Sequence, residues 1–228
     1  MNVKIVIATH KEYSMPNSEQ YLPVHAGSSL ANQSLPYQRD DEGDNISKKN
    51  NTYCELTALY WAYKNLKADY IGLCHYRRYL DINNIDINRY DVILPKKRHY
   101  YIETVYSHFK HAHGSKPLDI VEEVIEEIYP DYVESYKKQM NKRSLHLFNM
   151  FVMKNDLFTE YCEFLFTILN KVENQLGNVD RLYGYLGERL LDVFLDNKAI
   201  TVKEVGMINT EPINWCKKIL NFLKRKYQ

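Results

Sequence analysis

The chain has 228 residues, of which 45% are hydrophobic and 26% are charged, a globular composition with enough length for a substantial core. Its net charge of +1 gives no overall attraction for nucleic acid, so any functional charge has to be local. No stretch approaches the roughly 20 apolar residues of a membrane span, and the apolar part of "MNVKIVIATHK" is too short for a signal peptide. We therefore expect a cytoplasmic protein.

The first quarter of the chain predicts a strand, a long loop and a helix. Val3–Ala8 is a dense β-branched run, which is typical of a central strand. Residues 12–50 are polar and loop-like. Apolar residues then recur at helical spacing in "NNTYCELTALYWAYKNL". Asn51 or Thr52 is placed to cap this helix, with Glu55 completing a capping box.

The next segments continue this alternation. Apolar runs predict strands at Tyr70–His75 and Tyr90–Pro95, and "PLDIVEEVIEEIYP" predicts an amphipathic helix with an acidic, solvated face. His146–Lys154 predicts another buried strand, after which Asn155 or Asp156 is placed to cap a long helix. A shorter helix is predicted in "GYLGERLLDVFLDN" and a last strand in "AITVKEVGMI". The order favours a single α/β domain over residues 1–210, with a mostly parallel central sheet flanked by helices.

The last residues, 211–228, differ from the rest. In "INWCKKILNFLKRKYQ" the apolar residues share one helical face, and no acid follows Glu211 to oppose the lysines and Arg225. This pattern predicts a basic amphipathic helix that lies on an anionic membrane or on a partner. The alternative is a C-terminal helix docked on its own domain.

The cysteines give no sign of a metal site or of a disulfide framework. Cys54, Cys74, Cys162 and Cys216 stand far apart in apolar stretches, without the spacing of zinc ligands. Buried free thiols in a reducing compartment are the simplest interpretation.

Cationic side chains follow several of the predicted strands. The ends of open α/β strands are where ligands bind, and there the first strand gives Thr9-His10-Lys11, the second His75-Tyr76-Arg77-Arg78 and the third Lys96-Lys97-Arg98. The fourth carries Asn149. If these ends converge, the site is cationic and takes an anionic ligand, since arginine matches phosphate oxygens bidentately. For any single arginine, a surface ion pair is the alternative.

Two further patterns are candidate site features. His108, His111 and His113 lie close together, but no carboxylate or cysteine stands at a spacing that would complete a metal site. Hydrogen bonding to a ligand or a local surface cluster explains them better. Glu188 precedes a helical run and is either a carboxylate stabilised by a helix N-terminus or a general base.

The blocks resemble a known family over nearly the whole chain, from "KIVIATHK" to about Leu195. "NISKKNNTYCELTALYWAYKNLKADYIGLCHYRRYL", "YDVILPKKRHYYIETVYSHFKHAH", "HLFNMFVMKNDLFTEYCEFLF" and "RLYGYLGERLLDVFL" are similar to bacterial capsular and exopolysaccharide glycosyltransferases long grouped as a domain of unknown function. Some members are galactosyl- or galactofuranosyltransferases. The block order also resembles the GT-A nucleotide-sugar fold, except that His75-Tyr76-Arg77-Arg78 stands where that fold has the metal-binding Asp-x-Asp.

The resemblance implies a hexosyltransferase that moves galactose or galactofuranose from a UDP-sugar to a growing, lipid-linked glycan, with the basic tail holding it to the inner membrane face. Glu188 would be the base of an inverting transfer, oriented by Arg189 or Arg181. Arg77 and Arg78 would meet the diphosphate, so no metal ligand is assigned, and a need for manganese or magnesium stays open. The remaining implied contacts are Thr9, His10, Lys11, Asn45, Ser47, Asn50, His75 and Tyr76 for the donor, and His108, His111, His113 and Asn149 for the sugar or acceptor.

Two other functions remain open from the sequence. A non-catalytic module would bind a nucleotide sugar or an anionic glycan without transfer. An RNA-binding protein would use the cationic ends and the tyrosines for stacking, although the neutral net charge disfavours it.

Overall fold

The computed structural model describes residues 1–211 as a mixed α/β fold. The strands, in chain order, are β1 Val3–Thr9, β2 Tyr21–His25, β3 Gln38–Arg39, β4 Tyr70–His75, β5 Arg78–Leu80, β6 Val92–Pro95, β7 Arg98–His99, β8 Ser144–Leu145, β9 Phe151–Lys154, β10 Val202–Val205 and β11 Met207–Asn209. The helices are α1 Asn50–Tyr53, α2 Leu56–Asn65, α3 Val105–His113, α4 Lys116–Ile128, α5 Val133–Asn141, α6 Asn155–Leu176 and α7 Leu182–Asp196.

The central sheet follows the order β3-β2-β1-β4-β9-β6-β10, with β5 and β11 attached beside the end of β4. Parallel pairing joins β3 to β2, β2 to β1, β1 to β4 and β6 to β10. Only β9 interrupts this main path, because it runs antiparallel to both β4 and β6. The predicted α/β class with a mostly parallel sheet is therefore confirmed.

Successive side chains of β1 point to opposite faces of the sheet, and both faces are buried. Val6 and Ala8 belong to the larger apolar cluster, to which helices α2 to α7 contribute. Ile5 and Ile7 point to the other face and join a smaller cluster that contains Tyr79 and other residues near β5. Continuous β-branched runs suit such a strand because neither face meets water.

The segment 12–50 is not the loop that its polarity predicts. It contains β2 and β3, which extend the parallel sheet beyond β1. Asp40 organises the turn after β2, because its buried carboxylate accepts bonds from the backbone of Gly27 and Ser28 and from the hydroxyl of Ser47. A buried carboxylate that collects several bonds gives no periodic signal in a sequence.

The predicted single helix after residue 50 is wrong, because the chain breaks between α1 and α2 at Cys54. Cys54 has φ 52° and ψ −129°, outside the helical region. The predicted capping box does not form: the Thr52 hydroxyl donates to the Lys49 carbonyl, and Glu55 itself precedes the first residue of α2. Glu55 therefore lies at the junction of α1 and α2 and not within one continuous helix.

Other predicted boundaries also move. The strand predicted over His146–Lys154 begins only at Phe151, because Phe148 and Asn149 adopt positive φ values of 75° and 49°. Neither Asn155 nor Asp156 caps α6; both lie inside its first turn, after Lys154. The last predicted strand is divided at Gly206 into β10 and β11.

Helices α3 and α5 were not predicted, whereas β1, β4, α4 and α6 lie close to their predicted positions. No helix within residues 1–211 is long and apolar enough to cross a membrane. The predicted basic helix of the tail lies outside the described residues, and its separation from residues 1–210 stays a prediction.

Candidate active site

The carboxyl ends of four strands meet at one edge of the sheet. In the parallel register Ala8 lies beside His75, and Thr9 lies beside His25. β6 ends at the same edge, since β4 and β6 both pair antiparallel with β9. Because β9 is antiparallel to these strands, it begins at this edge, and Asn149, two residues before it, lies beside the strand ends. The sheet topology therefore brings the cationic segments that follow β1, β4 and β6 to the same edge, as predicted.

Tyr76 stands at the centre of the first cationic group. Lys11 and Arg77 lie over its ring, with the Lys11 Nζ 5.2 Å and the Arg77 Cζ 5.0 Å from the ring centroid. The His10 ring meets Tyr76 edge-on at 5.3 Å. Burial, followed by the charges of Arg77 and Lys11, lowers the pKa of His10. The imidazole is thus held neutral beside fixed cations.

The two arginines after β4 have different surroundings. Arg77 is half-exposed and its Nε lies 3.3 Å from the Glu211 carboxylate, a surface pair that contributes little to stability. Arg78 is half-buried, with its guanidinium 4.3 Å from the centroid of the Phe148 ring. Burial and the charge of Arg77 lower the pKa of Arg78. Within residues 1–211 no carboxylate forms a salt bridge with Arg78, so its charge is available to an anionic ligand.

His75 is fixed by the backbone. Its Nε2 donates to the Phe148 carbonyl at 2.6 Å, because a carbonyl can only accept. That bond leaves Nδ1 as the one free position for a metal on this ring. Across the described range of the chain, no group of three or more His, Cys, Asp or Glu side chains is placed to hold a metal ion.

Asn149 links the strand edge to the helices. Its side chain is fully buried, and Nδ2 donates to the Glu55 carboxylate at 2.7 Å and to the Gly184 carbonyl at 3.2 Å. Glu55 is a site residue that the sequence reasoning missed. The sequence does contain a sign of it: a glutamate stands within the apolar helical pattern of "CELTALYWA", where a charged side chain is not expected on a buried face.

Glu188 occupies the middle of α7 rather than its N-terminus, so the helix dipole does not explain it. Its side chain is 16% exposed and lies 2.7 Å from the guanidinium of Arg189, which is 6% exposed. Burial raises the pKa of Glu188, Arg189 opposes this rise, and the negative charge of Glu55 adds to it. A carboxyl with a raised pKa is suited to accept a proton near neutral pH.

Arg181 precedes α7 with a left-handed φ of 57°. Its guanidinium lies 5.4 Å from the Tyr185 ring centroid, and its charge contributes to the lowered pKa of His10. The charges of Arg181, Lys11 and Arg77 therefore all act on His10.

Four of the positive-φ residues that are not glycine surround this space: Cys54, Phe148, Asn149 and Arg181. Such conformations cost about 1–3 kcal/mol each and persist where the surrounding structure enforces them. Their concentration at one edge marks a site whose side chains are placed at the expense of local stability.

Three of the polar residues predicted to contact the donor bond mainly within their own segment. Asn45 donates to the Gly43 carbonyl at 2.8 Å, Ser47 to the Asp40 carboxylate at 2.5 Å, and Asn50 to the Cys54 carbonyl at 2.8 Å. They shape the chain that leads to Glu55. His25 is a second residue that sequence reasoning missed; it is buried at the end of β2, and burial lowers its pKa.

The three predicted histidines lie on α3 but have separate contacts. His108 stacks on Tyr100 at 4.1 Å between ring centroids, and His111 bonds to the Glu103 carboxylate at 2.5 Å. His113 lies 4.6 Å from the Tyr185 ring of α7 and faces a cavity of about 370 Å³. The remaining lining residues of that cavity are Lys116, Pro117, Leu176, Val179, Asp180 and Leu182. A second, smaller cavity around Phe164 and Phe194 holds none of the site residues.

Comparisons with known proteins place this geometry in context. A family model described as "Domain of unknown function (DUF4422)" matches residues 4–199. No curated protein matches the chain. Among solved structures, the apo structure of WbbM, named as a bifunctional glycosyltransferase, is similar with a TM-score of 0.85 and 28% sequence identity. The match covers 93% of this chain and 46% of the WbbM chain, so this chain spans less than half of that protein.

Proposed function

Because the chain belongs to the family described as domain of unknown function DUF4422, and because its fold is that of a glycosyltransferase structure, we propose that it is a glycosyltransferase. The observation that carries the proposal is the presence, near one sheet edge, of the Arg78 guanidinium, which has no salt bridge within residues 1–211, and of the largely buried carboxylate of Glu188, whose charge acts on it. The WbbM protein is named as bifunctional and is matched over 46% of its length, so we assign one transferase activity to these residues.

The donor we propose is a UDP-hexose of the galactose or galactofuranose type. Its diphosphate would lie against Arg77 and Arg78, with Lys11 and Arg181 adding positive charge around Tyr76. Fixed cations stabilise the negative charge that develops on a departing diphosphate. His10, held neutral, and Thr9 lie at the end of β1, where the nucleoside would be recognised.

The proposed reaction is a direct displacement with inversion. An acceptor hydroxyl loses its proton to the Glu188 carboxylate while its oxygen bonds to the anomeric carbon of the donor sugar. The bond from that carbon to the diphosphate oxygen breaks, and its electron pair leaves with UDP. The Arg189 guanidinium lies 2.7 Å from the Glu188 carboxylate and would orient it toward the acceptor.

The residues at the end of β4 do not fit a metal-bound diphosphate. Arg77 and Arg78 are cations and cannot ligate a cation, and His75 offers only its Nδ1, because its Nε2 donates to the Phe148 carbonyl. We therefore propose that guanidinium groups take the electrostatic part that a manganese or magnesium ion takes in other transferases.

The acceptor would approach from the α3 and α7 side. The cavity beside His113 has a volume of about 370 Å³ and apolar walls with a few polar groups, which suits part of a glycan. A lipid-linked capsular or exopolysaccharide intermediate at the inner membrane face is the acceptor we propose, with the enzyme peripheral to that membrane.

A screen of UDP- and GDP-sugars, with and without manganese, tests the proposal. Thermal shift reports binding, and release of free nucleotide reports turnover. Stabilisation and nucleotide release with a UDP-hexose support a transferase. Stabilisation without release under every acceptor and metal condition would instead indicate a binding module.

A further inference from the structure

An exposed segment beside the site has no role in the proposed reaction. Residues 96–102, here called the basic ribbon, read Lys-Lys-Arg-His-Tyr-Tyr-Ile between β6 and α3. Tyr101 is 92% exposed and Ile102 is 67% exposed. Single exposed apolar residues are common on protein surfaces. Two adjacent large side chains that both face water instead form an exposed apolar patch.

The tip of the basic ribbon is held outward by bonds at both of its ends. The Tyr100 N–H donates to the Arg143 carbonyl at 2.7 Å, and the Val105 N–H donates to the Lys142 carbonyl at 2.8 Å. Tyr100 also stacks on His108, and Thr104 forms a capping box at the start of α3. Tyr101 and Ile102 thus project from a fixed base rather than from a loose loop.

The surroundings of the tip are cationic although the whole chain has a net charge of only +1. Lys96, Lys97 and Arg98 precede it, and the backbone that anchors it belongs to Lys142 and Arg143. The nearby acids are already engaged: Glu103 bonds to His111, and Asp196 pairs with Lys138 at 2.8 Å and with Lys142 at 3.9 Å. Positive charge therefore flanks the apolar tip with little compensation.

We propose that the basic ribbon rests on an anionic membrane surface, with Tyr101 and Ile102 inserted at the headgroup boundary and the cations on lipid phosphates. Aromatic and aliphatic side chains beside Lys and Arg are the combination that binds such a surface. The charges of Arg189, Arg98 and Glu188 all act on Tyr100, so the ribbon borders the proposed active site. This contact is additional to any made by the C-terminal tail, and its test requires no transferase activity.

Co-sedimentation of the full-length protein with vesicles of phosphatidylglycerol and phosphatidylcholine tests the proposal. Each cation near the surface changes partitioning by about fivefold, so Lys96→Gln/Lys97→Gln is expected to weaken binding about 25-fold. Tyr101→Ser/Ile102→Ser is expected to weaken it about tenfold. Tyr101→Ser/Ile102→Ser touches no residue of the cationic strand ends. Lys96 and Lys97 belong to one of those ends, so the lysine variant is read by vesicle binding alone and not by turnover.

Matched control variants carry the same exchanges elsewhere on the surface. Leu30→Ser/Val202→Ser removes exposed apolar residues, and Lys48→Gln/Lys67→Gln removes exposed charges. Both controls should bind as the wild type does. Equal binding by ribbon and control variants would overturn the proposal, whatever the tail contributes.

A fluorescence measurement keeps the test independent of variant stability. With Tyr101→Trp, brominated lipids should quench more emission than in the wild type, whose Trp61 and Trp215 give the background. No added quenching would overturn the proposal. Normal vesicle binding by Tyr101→Ser/Ile102→Ser, with loss of binding to a soluble glycan acceptor, would also overturn it and assign the ribbon to the acceptor.

Discussion

At the scale of single residues, Glu188 and Glu55 form the acidic part of an otherwise cationic site. Asn149 joins Glu55 to the sheet edge through a 2.7 Å bond. Arg189 opposes the effect of burial on Glu188 but does not cancel it, because the pKa of Glu188 stays raised. We propose distinct parts for the two carboxylates, with Glu188 as the proton acceptor and Glu55 as the group that orients Asn149.

Replacing Glu188 with glutamine tests the assignment of the base. The amide keeps the shape of the side chain but cannot accept the hydroxyl proton, so turnover should fall by a factor of about 10²–10⁴. Donor affinity, measured by calorimetry, should stay within about threefold of the wild type, because the arginines that meet the diphosphate are unchanged. Near-normal turnover of this variant would remove Glu188 from the mechanism.

The pH dependence of turnover tests the coupling between the two carboxylates. Because the pKa of Glu188 is raised, its proton-accepting form fills at higher pH than in an ordinary glutamate, and kcat should rise with pH through that value. Glu55→Gln removes a negative charge that raises this pKa, so the acid limb of the profile should move to lower pH.

Glutamine still offers Asn149 a hydrogen-bond acceptor, which keeps the local geometry in that variant. Glu134→Gln, an exposed exchange at the start of α5, is the control and should leave the profile in place. An acid limb that moves equally in both variants, or in neither, contradicts the coupling.

At the scale of elements, the break between α1 and α2 is what brings Glu55 to the site. Cys54 carries the break with φ 52° and ψ −129°, a conformation that glycine adopts freely. Release of about 1–3 kcal/mol of strain outweighs the ~0.5–1 kcal/mol entropy cost of glycine. Cys54→Gly should therefore raise the free energy of unfolding by about 1 kcal/mol.

Urea denaturation measures this effect, and Cys162→Gly provides the comparison. Cys162 is fully buried inside α6, where glycine loses helix propensity and leaves a cavity, so about 2 kcal/mol or more of stability should be lost. A loss of similar size at both positions would mean that the break at Cys54 stores no strain.

The contact between β4 and β9 depends on the absence of a side chain at Gly72. A Cβ there would lie 2.7 Å from the Phe151 carbonyl oxygen, so the two backbones would have to separate. Gly72→Ala should lower the free energy of unfolding by about 1–3 kcal/mol. In Gly206→Ala the nearest atom to the new Cβ is 3.8 Å away, and thermal unfolding should be nearly unchanged. Equal losses in both variants would contradict the close approach at Gly72.

At the scale of the whole molecule, the elements with strong periodicity were predictable and the short ones were not. β1 and β4 are dense apolar runs, and α4 and α6 have clear helical stripes, so each lies near its predicted place. β2 and β3 were hidden because they are short, one contains Pro23, and the bonds that order their segment converge on Asp40. Helix α5 carries few apolar residues and packs through partners far away in sequence.

Site residues that follow strands could be predicted from the sequence. Site residues whose positions depend on breaks in helical backbone could not. Arg77 follows the end of β4, so parallel pairing with β1 brings it to the Tyr76 ring that Lys11 also contacts. Glu55 and the position of Glu188 within α7 depend on the irregular backbone at Cys54 and Arg181, which no periodic pattern reveals. Tertiary contacts decide such breaks, and a single sequence does not display them.

We propose that this chain transfers a hexose with arginines in place of a metal ion. The most direct test measures UDP release from UDP-galactose and UDP-galactofuranose by the wild type in EDTA and in manganese, beside Arg77→Ala/Arg78→Ala. If the arginines replace a metal ion, the wild type should release UDP in the presence of acceptor at similar rates in both buffers, and the double variant should not release it. Release that needs manganese, or that persists in the double variant in EDTA, would contradict it.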